Sequence, residues 1–319
     1  MAWKGRPREE GPGNAIIRRA RAWQFAKRGW VPDSQMDAQQ YSTNAEKTTY
    51  RRTNRVDDGL ICEWWFDEGE GDRIYDRTLG TTQSNLRWIY NAGLGFLGEW
   101  SQDASLDDRY YLNLSDGGAA RNSGSLEPLS EIKRSQEATV EAWIKPTAAN
   151  GLATSGPGRV FLLGPIDTGY IDQCLMLGHG SWTGNSGFGA DAFSARVKID
   201  DAVVSLVGDG LATTGLHHLA LTCKYIGNNQ AKTVFYVDGV EVDSKTIPTD
   251  GSGIFDDWDN TSRLVMGSDR DGEKKAPAGY YLGAIYKRAL TSAEITKNFS
   301  EGVVAYSGGY KKEIRGIIE

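Results

Sequence analysis

Apolar runs of strand length, divided by turn signals and almost never set at helical spacing, limit what this chain can fold into. They fall at Leu60–Phe66, Thr139–Ile144, Val160–Leu163, Gln173–Leu177, Ala195–Ile199, Val203–Val207, Leu216–Cys223, Val234–Val237, Arg263–Met266 and Gly279–Tyr286. Short strands in that number, with almost no helix, predict an all-β sandwich of two antiparallel sheets. The Asp238-Gly239 pair lies between two of these arms and suits a type I′ hairpin turn, whose central residues both need positive φ. Thr291-Ser292-Ala293-Glu294 has the pattern of a capping box and predicts a short helix through Phe299. Thirty-nine glycines against nine prolines in 319 residues agree with many tight turns. A hydrophobic fraction of 39% is ample for a core.

Charge divides the chain. Residues 1–58 carry twelve Lys/Arg against seven Asp/Glu, a net +5, so the remainder, with 24 against 35, carries −11 of the overall −6. Such a split argues for two parts with separate roles. In the first part Asn14 can cap a helix from Ala15 to Lys27 that Gly29 would end, with Ile16, Ala20 and Trp23 on one face. Arg18, Arg19 and Arg21 crowd the other face, and Phe25 follows. A helix this short is marginal in water unless it packs on something, so residues 1–58 read as an arm held by a partner. Ile16, Arg18, Arg19, Ala20, Trp23 and Phe25 are its candidate partner-binding residues. The turn Asp57-Asp58-Gly59 then opens a domain over 59–302, with 303–319 as a tail.

Cys62, Cys174 and Cys223 lie in apolar strand-like runs and cannot all pair, so buried free thiols are expected, as in a reducing cytoplasm. No CxxC spacing suggests zinc. No apolar run reaches the length of a membrane span, and the amino end lacks the layout of a secretory signal, so synthesis in a host cytoplasm without a signal peptide is expected.

Four segments occur in a fixed order: Gly59-Leu60-Ile61-Cys62-Glu63-Trp64-Trp65-Phe66-Asp67-Glu68-Gly69; Ala138-Thr139-Val140-Glu141-Ala142-Trp143-Ile144-Lys145-Pro146; His217-His218-Leu219-Ala220-Leu221-Thr222 with Val234-Phe235-Tyr236-Val237-Asp238-Gly239-Val240; and Tyr286-Lys287-Arg288-Ala289-Leu290-Thr291. Together they resemble the laminin-G-like, concanavalin-A-like lectin-glucanase jelly-roll family. That resemblance implies a jelly-roll topology and leaves function open, since one scaffold hosts many sites.

Relatives of this kind often hold a structural calcium through an Asp after the F-D-E-G segment, where Asp76 fits, following Asp72. Tyr281 and Leu282 stand where relatives commonly have Asp-Glu, which removes a charged ligand from an ion that needs six to eight oxygens. Calcium is left open on Asp72 and Asp76, and no other cofactor is expected. Glucanases of this fold place E-x-D-x-x-E on one strand, whereas Glu241-Val242-Asp243-Ser244-Lys245-Thr246 lacks the third carboxylate and reads as a solvated hairpin arm. His217 and His218 have no nucleophile tied to them by spacing and read as strand residues. Sugar sites pair an aromatic platform with fixed polar groups, which makes Trp182, Trp258, Tyr280 and Tyr281 the candidate ligand-binding residues. The stretches 68–136 and 145–192 are longer than a compact sandwich needs and read as loops that could carry contacts.

An anchoring arm, a lectin-like domain and no complete catalytic set are similar to accessory structural proteins of tailed-phage virions: capsid decoration, head-fibre or tail-associated adhesion proteins. The expectation is a non-enzymatic protein of the virion surface, docked on other virion proteins or on a second copy through residues 1–58 and free to meet cell-surface glycans. A bacterial carbohydrate-binding or adhesion module is the alternative, followed by a glycan-degrading enzyme. Direct nucleic-acid binding is not expected, because acids at Glu9, Glu10, Asp33 and Asp37 interleave the arm's arginines.

Overall fold

The computed structural model describes residues 54–303, apart from 79–84, 90–97, 107, 115–117, 123–128, 150, 152–155, 166–173, 181–188, 200–201, 252, 256–257, 259–261 and 270–273. Within them the strands are β1 (Leu60–Trp64), β2 (Arg73–Ile74), β3 (Leu86–Ile89), β4 (Glu99–Asp103), β5 (Arg109–Asn113), β6 (Ala119–Asn122), β7 (Glu137–Pro146), β8 (Gly158–Pro165), β9 (Cys174–His179), β10 (Phe193–Ile199), β11 (Ala202–Gly208), β12 (His217–Gly227), β13 (Gln230–Val237), β14 (Val240–Pro248), β15 (Ser262–Met266) and β16 (Ala278–Tyr286). Two helices, α1 (Leu129–Ser135) and α2 (Ser292–Glu301), accompany them. Each of the ten apolar runs contributes to a strand. The 68–136 stretch differs from its reading as a loop, because it contributes β2 to β6 and α1.

The strands form two antiparallel sheets. Sheet A runs β14-β13-β12-β7-β16-β5-β4, with β1 also paired to β16, and sheet B runs β11-β10-β9-β8-β15-β6-β3-β2. Side chains alternate across each strand, so Trp64, Phe161, Phe193, Phe235 and Leu264 meet between the sheets in the main core. Asp238 and Gly239 take φ values of 51° and 77°, as the I′ turn between β13 and β14 requires. The Thr291 side chain accepts from the Glu294 N–H, and the Glu294 side chain accepts from the Thr291 N–H, which completes the capping box of α2.

The outer face of sheet A is closed by the chain itself. Trp143, Ala220, Tyr236, Ala284 and Tyr286 form a second apolar cluster there with Ile295 of α2, and with Val56 and Val303 from the two ends of the described chain. A polar network is sealed inside it. Arg55 Nη2 donates to Glu141 over 2.5 Å, Asn298 Nδ2 donates to the other Glu141 oxygen over 2.9 Å, and Asn298 Oδ1 accepts from the Val56 N–H over 2.7 Å. Packing therefore reaches back past the Asp57-Asp58-Gly59 turn to Arg55 and forward to Val303. Burial alone would raise the Glu141 carboxyl; the Arg55 guanidinium, helped by His218 and Asn298, more than offsets this and holds it at about 2.

Candidate functional site

Three of the four aromatics expected to bind a ligand are core residues. Trp258 is 1% exposed and packs edge-on to Phe255 with ring centres 5.0 Å apart. Tyr280 and Tyr281 are both fully buried. A register shift in β16 between Tyr280 and Leu282 breaks the alternation there. Tyr280 joins the main core, donating its hydroxyl to Ala276 O over 3.0 Å. Tyr281 joins the outer cluster, stacks on Tyr111 at 4.9 Å and donates to Asp103 over 2.6 Å. None of the three offers a ring to a sugar. Trp182 lies outside the described residues, as do Ile16, Arg18, Arg19, Ala20, Trp23 and Phe25.

Asp76 is buried, and its Oδ1 accepts from the Glu63 N–H, the Thr78 N–H and the Thr78 hydroxyl, which makes it a pin for the turn after β2. Asp72 is exposed. Among the described residues, no group of three or more His, Cys, Asp or Glu is placed to hold a metal ion. Glu241 is exposed, and Asp243 accepts from the Val207 N–H over 3.2 Å with Lys245 Nζ at 3.8 Å, so this arm is a solvated hairpin strand braced on β11.

His217 sits in an arrangement that spacing did not suggest. Its Nδ1 lies 2.8 Å from Asp238 Oδ2 and its Nε2 lies 2.7 Å from Thr213 Oγ1. Nε2 also accepts from the Thr213 N–H, while Thr213 Oγ1 accepts from the Gly215 N–H. The hydroxyl is thus held inside its own turn, and the set locks the approach to β12 against the β13–β14 hairpin. His218 is fully buried with Nε2 3.6 Å from Glu141 Oε1, beneath α2. Both histidines are structural strand residues. The three cysteines are free and buried, and burial pushes the Cys223 thiol up to about 12.

What sequence reasoning missed is a segregation of charge between the sheets. Sheet A strands mix signs, with Glu63, Asp103, Glu141 and Asp243 beside Arg109, Lys145 and Lys224. In the eight strands of sheet B every charged residue is an arginine or a lysine. Pairing sets several of them on one outward row that crosses the sheet. Ser205, Arg196, Met176, Leu162, Val265 and Arg121 are successive cross-strand partners from β11 to β6. Lys198, Cys174 and Arg263 stand at the next outward positions, and Arg159 at the outward position before. Leu162, Cys174 and Met176 form a small apolar cluster apart from the main core. The outward side of sheet B therefore sets cations around a small buried apolar cluster, in a domain whose overall charge is negative. The signal was in the sequence, but only as single arginines scattered over strands far apart in the chain.

Two packed antiparallel sheets of this strand order define a lectin-like jelly-roll sandwich. A family model described as the concanavalin A-like lectin/glucanases superfamily, of laminin-G type, matches residues 116–296, and the chain belongs to that superfamily. No curated protein matches the chain at a significant level. Among solved structures it is similar to domain 4 of AbnA, an extracellular arabinanase from Geobacillus stearothermophilus in complex with arabinotriose (17% identity, 75% of this chain and 97% of that one, TM-score 0.48). It is also similar to a botulinum neurotoxin serotype D/C binding domain (11%, 76% and 52%, 0.49), of which it spans about half. A third is a Ruminococcus gnavus sialidase carbohydrate-binding module bound to α2,3-sialyllactose (15%, 58% and 94%, 0.41).

Proposed function

We propose that the protein is a non-catalytic adhesion module that presents the outer face of sheet B to carbohydrate and is fastened to a larger assembly through residues 1–58. The finer reading places it on a tailed-phage virion, as a capsid-decoration, head-fibre or tail-associated protein. The observation that carries the binding reading is the inequality of the two outer faces. Sheet A is covered by α2, Val56 and Val303, and both described helices pack on sheet A strands, whereas sheet B keeps Arg121 exposed and Arg196, Lys198 and Arg263 half-buried on its outward side, around the buried Leu162, Cys174 and Met176. Membership of a lectin and glucanase superfamily makes carbohydrate the ligand class to test first. Retaining glycosidases need two carboxyl groups about 5–5.5 Å apart across a scissile bond, and the expected E-x-D-x-x-E strand supplies Thr246 where its last acid would stand.

The full chain should bind glycans on an array and release no reducing ends from a panel of β-glucans, alginate, agar and peptidoglycan. Turnover that disappears with Glu241→Gln would make it an enzyme. Particles assembled with a chain lacking residues 1–53 should carry none of it; normal incorporation of that chain would place the attachment surface on the sandwich.

A further inference from the structure

We propose that the guanidinium of Arg109 is the resident cation of a carbonyl-lined seat, a built-in substitute for a metal ion, so that the sandwich holds its outer sheet A cluster together without calcium. The inference stands apart from the carbohydrate reading and from the arginine row of sheet B.

Arg109 opens β5 and is 7% exposed. Its Nη2 donates to Trp65 O and to Tyr281 O, each over 2.7 Å, and its Nη1 donates to Val303 O. The guanidinium carbon lies 5.1 Å from the centre of the Trp65 ring and 5.9 Å from that of the Tyr281 ring. Asp67 and Glu68 act on this charge from farther off, and both are within ion-pair reach of Arg77 instead. Burial pulls the Arg109 guanidinium down to about 10, which still leaves it charged at neutral pH.

Three departures from regular backbone supply the oxygens. Phe66 takes φ 49°, costly for an aromatic residue, and that torsion sets the plane of the preceding peptide, whose oxygen is Trp65 O. Tyr281 lies at the register shift of β16, where a ladder leaves a backbone group to find another partner. Val303 follows Gly302, the C-cap of α2. Three segments far apart in the chain thus bring one carbonyl each to a single buried charge.

Neutral carbonyls gathered in this way are the donors that a hard cation takes. A metal ion does not fit beside them, because the guanidinium already takes the three oxygens and no carboxylate is among its partners. Tyr281 also stands at one of the two positions where the calcium expectation puts an acid. A planar fork suits the seat better than a sphere, since its N–H groups reach separate oxygens while its face meets aromatic rings. One side chain thereby ties the segment after β1, the middle of β16 and Val303 into the same cluster.

The test melts the full chain with calcium, with a chelator and with neither, beside Arg109→Ala, Arg109→Met and Arg109→Lys. The parent should melt at one temperature in all three conditions. Arg109→Ala should melt roughly 5–10 °C lower and regain at least about 2 °C with calcium, or with guanidinium ion kept far below its denaturing range. Arg109→Lys, which returns a charge without the fork, should melt above Arg109→Met, which fills the space with no charge. A parent stabilised by calcium or destabilised by the chelator overturns the proposal. So does Arg109→Lys no more stable than Arg109→Met, or Arg109→Ala that neither cation stabilises, either of which makes Arg109 a packing residue. If Arg109→Ala is unfolded at every temperature, refolding on addition of either cation counts as the regain and its failure as the overturning result.

Discussion

Arg55 and Glu141, 86 residues apart in sequence, meet at 2.5 Å with side chains that are 2% and 0% exposed. The contact joins the segment before β1 to the middle of sheet A and is roofed by α2. Removing one partner leaves the other charge stranded without water.

Arg55→Ala should therefore destabilise the domain by about 3–5 kcal/mol, far beyond the cost of a surface ion pair. Urea unfolding of the two proteins measures it. A chain begun at Gly59 should show the same defect, because it also lacks Val56, while one begun at Asn54 should unfold like the parent. Equal stability of the Gly59 and Asn54 chains would make the contact incidental.

Acid sensitivity follows from the same pair. The Glu141 carboxyl sits at about 2 in the folded protein against an ordinary 4.5, so between those values the unfolded chain binds more protons and falling pH favours unfolding. Stability that is fully present above about pH 4.5 should drain away towards pH 2. Glu141→Gln should start lower and lose less over that window in thermal melts. Parallel pH profiles for the two proteins would show that other carboxyls govern acid unfolding.

Trp258→Ala should act on stability and leave recognition alone. The ring is buried against Phe255, so truncation should cost about 3–5 kcal/mol. Glycan binding of the surviving folded fraction should be unchanged; selective loss of binding at normal stability would restore Trp258 to the site.

Gly239→Ala tests the hairpin. At φ 77° a side chain is strained, and its Cβ would meet the Phe299 ring at 3.0 Å, so a loss of about 1–2 kcal/mol is expected. Asn at position 238, where Asp238 has φ 51°, should be tolerated by the backbone and should weaken only the tie to His217. Denaturation midpoints for the two variants separate the effects.

The sheet skeleton was legible because Thr139–Ile144, His217–Cys223 and Gly279–Tyr286 are buried over their whole length and so read as continuous apolar runs. Strands β2 to β6 escaped notice for the opposite reason. Arg73-Ile74 is two residues long, and Glu99–Asp103 buries only its last residue, so neither presents a pattern that a window can recognise. The binding aromatics misled because neighbours in sequence were taken for neighbours in space. Tyr280 and Tyr281 adjoin glycines and polar residues, yet the irregularity in β16 turns one ring into each apolar cluster. The basic face was illegible in one dimension, since Arg196 and Arg121 become companions only through the pairing of β10, β9, β8, β15 and β6.

Val56 and Val303 bury themselves in the same cluster, on the outer side of sheet A. The described chain thus enters and leaves its sandwich at one pole, while the arginine row occupies the other. A hand whose wrist and palm are on opposite sides needs no hinge to reach outward. A chain cut to residues 54–303 and labelled at either new end should carry its label on the sheet A side of the sandwich, away from the arginine row.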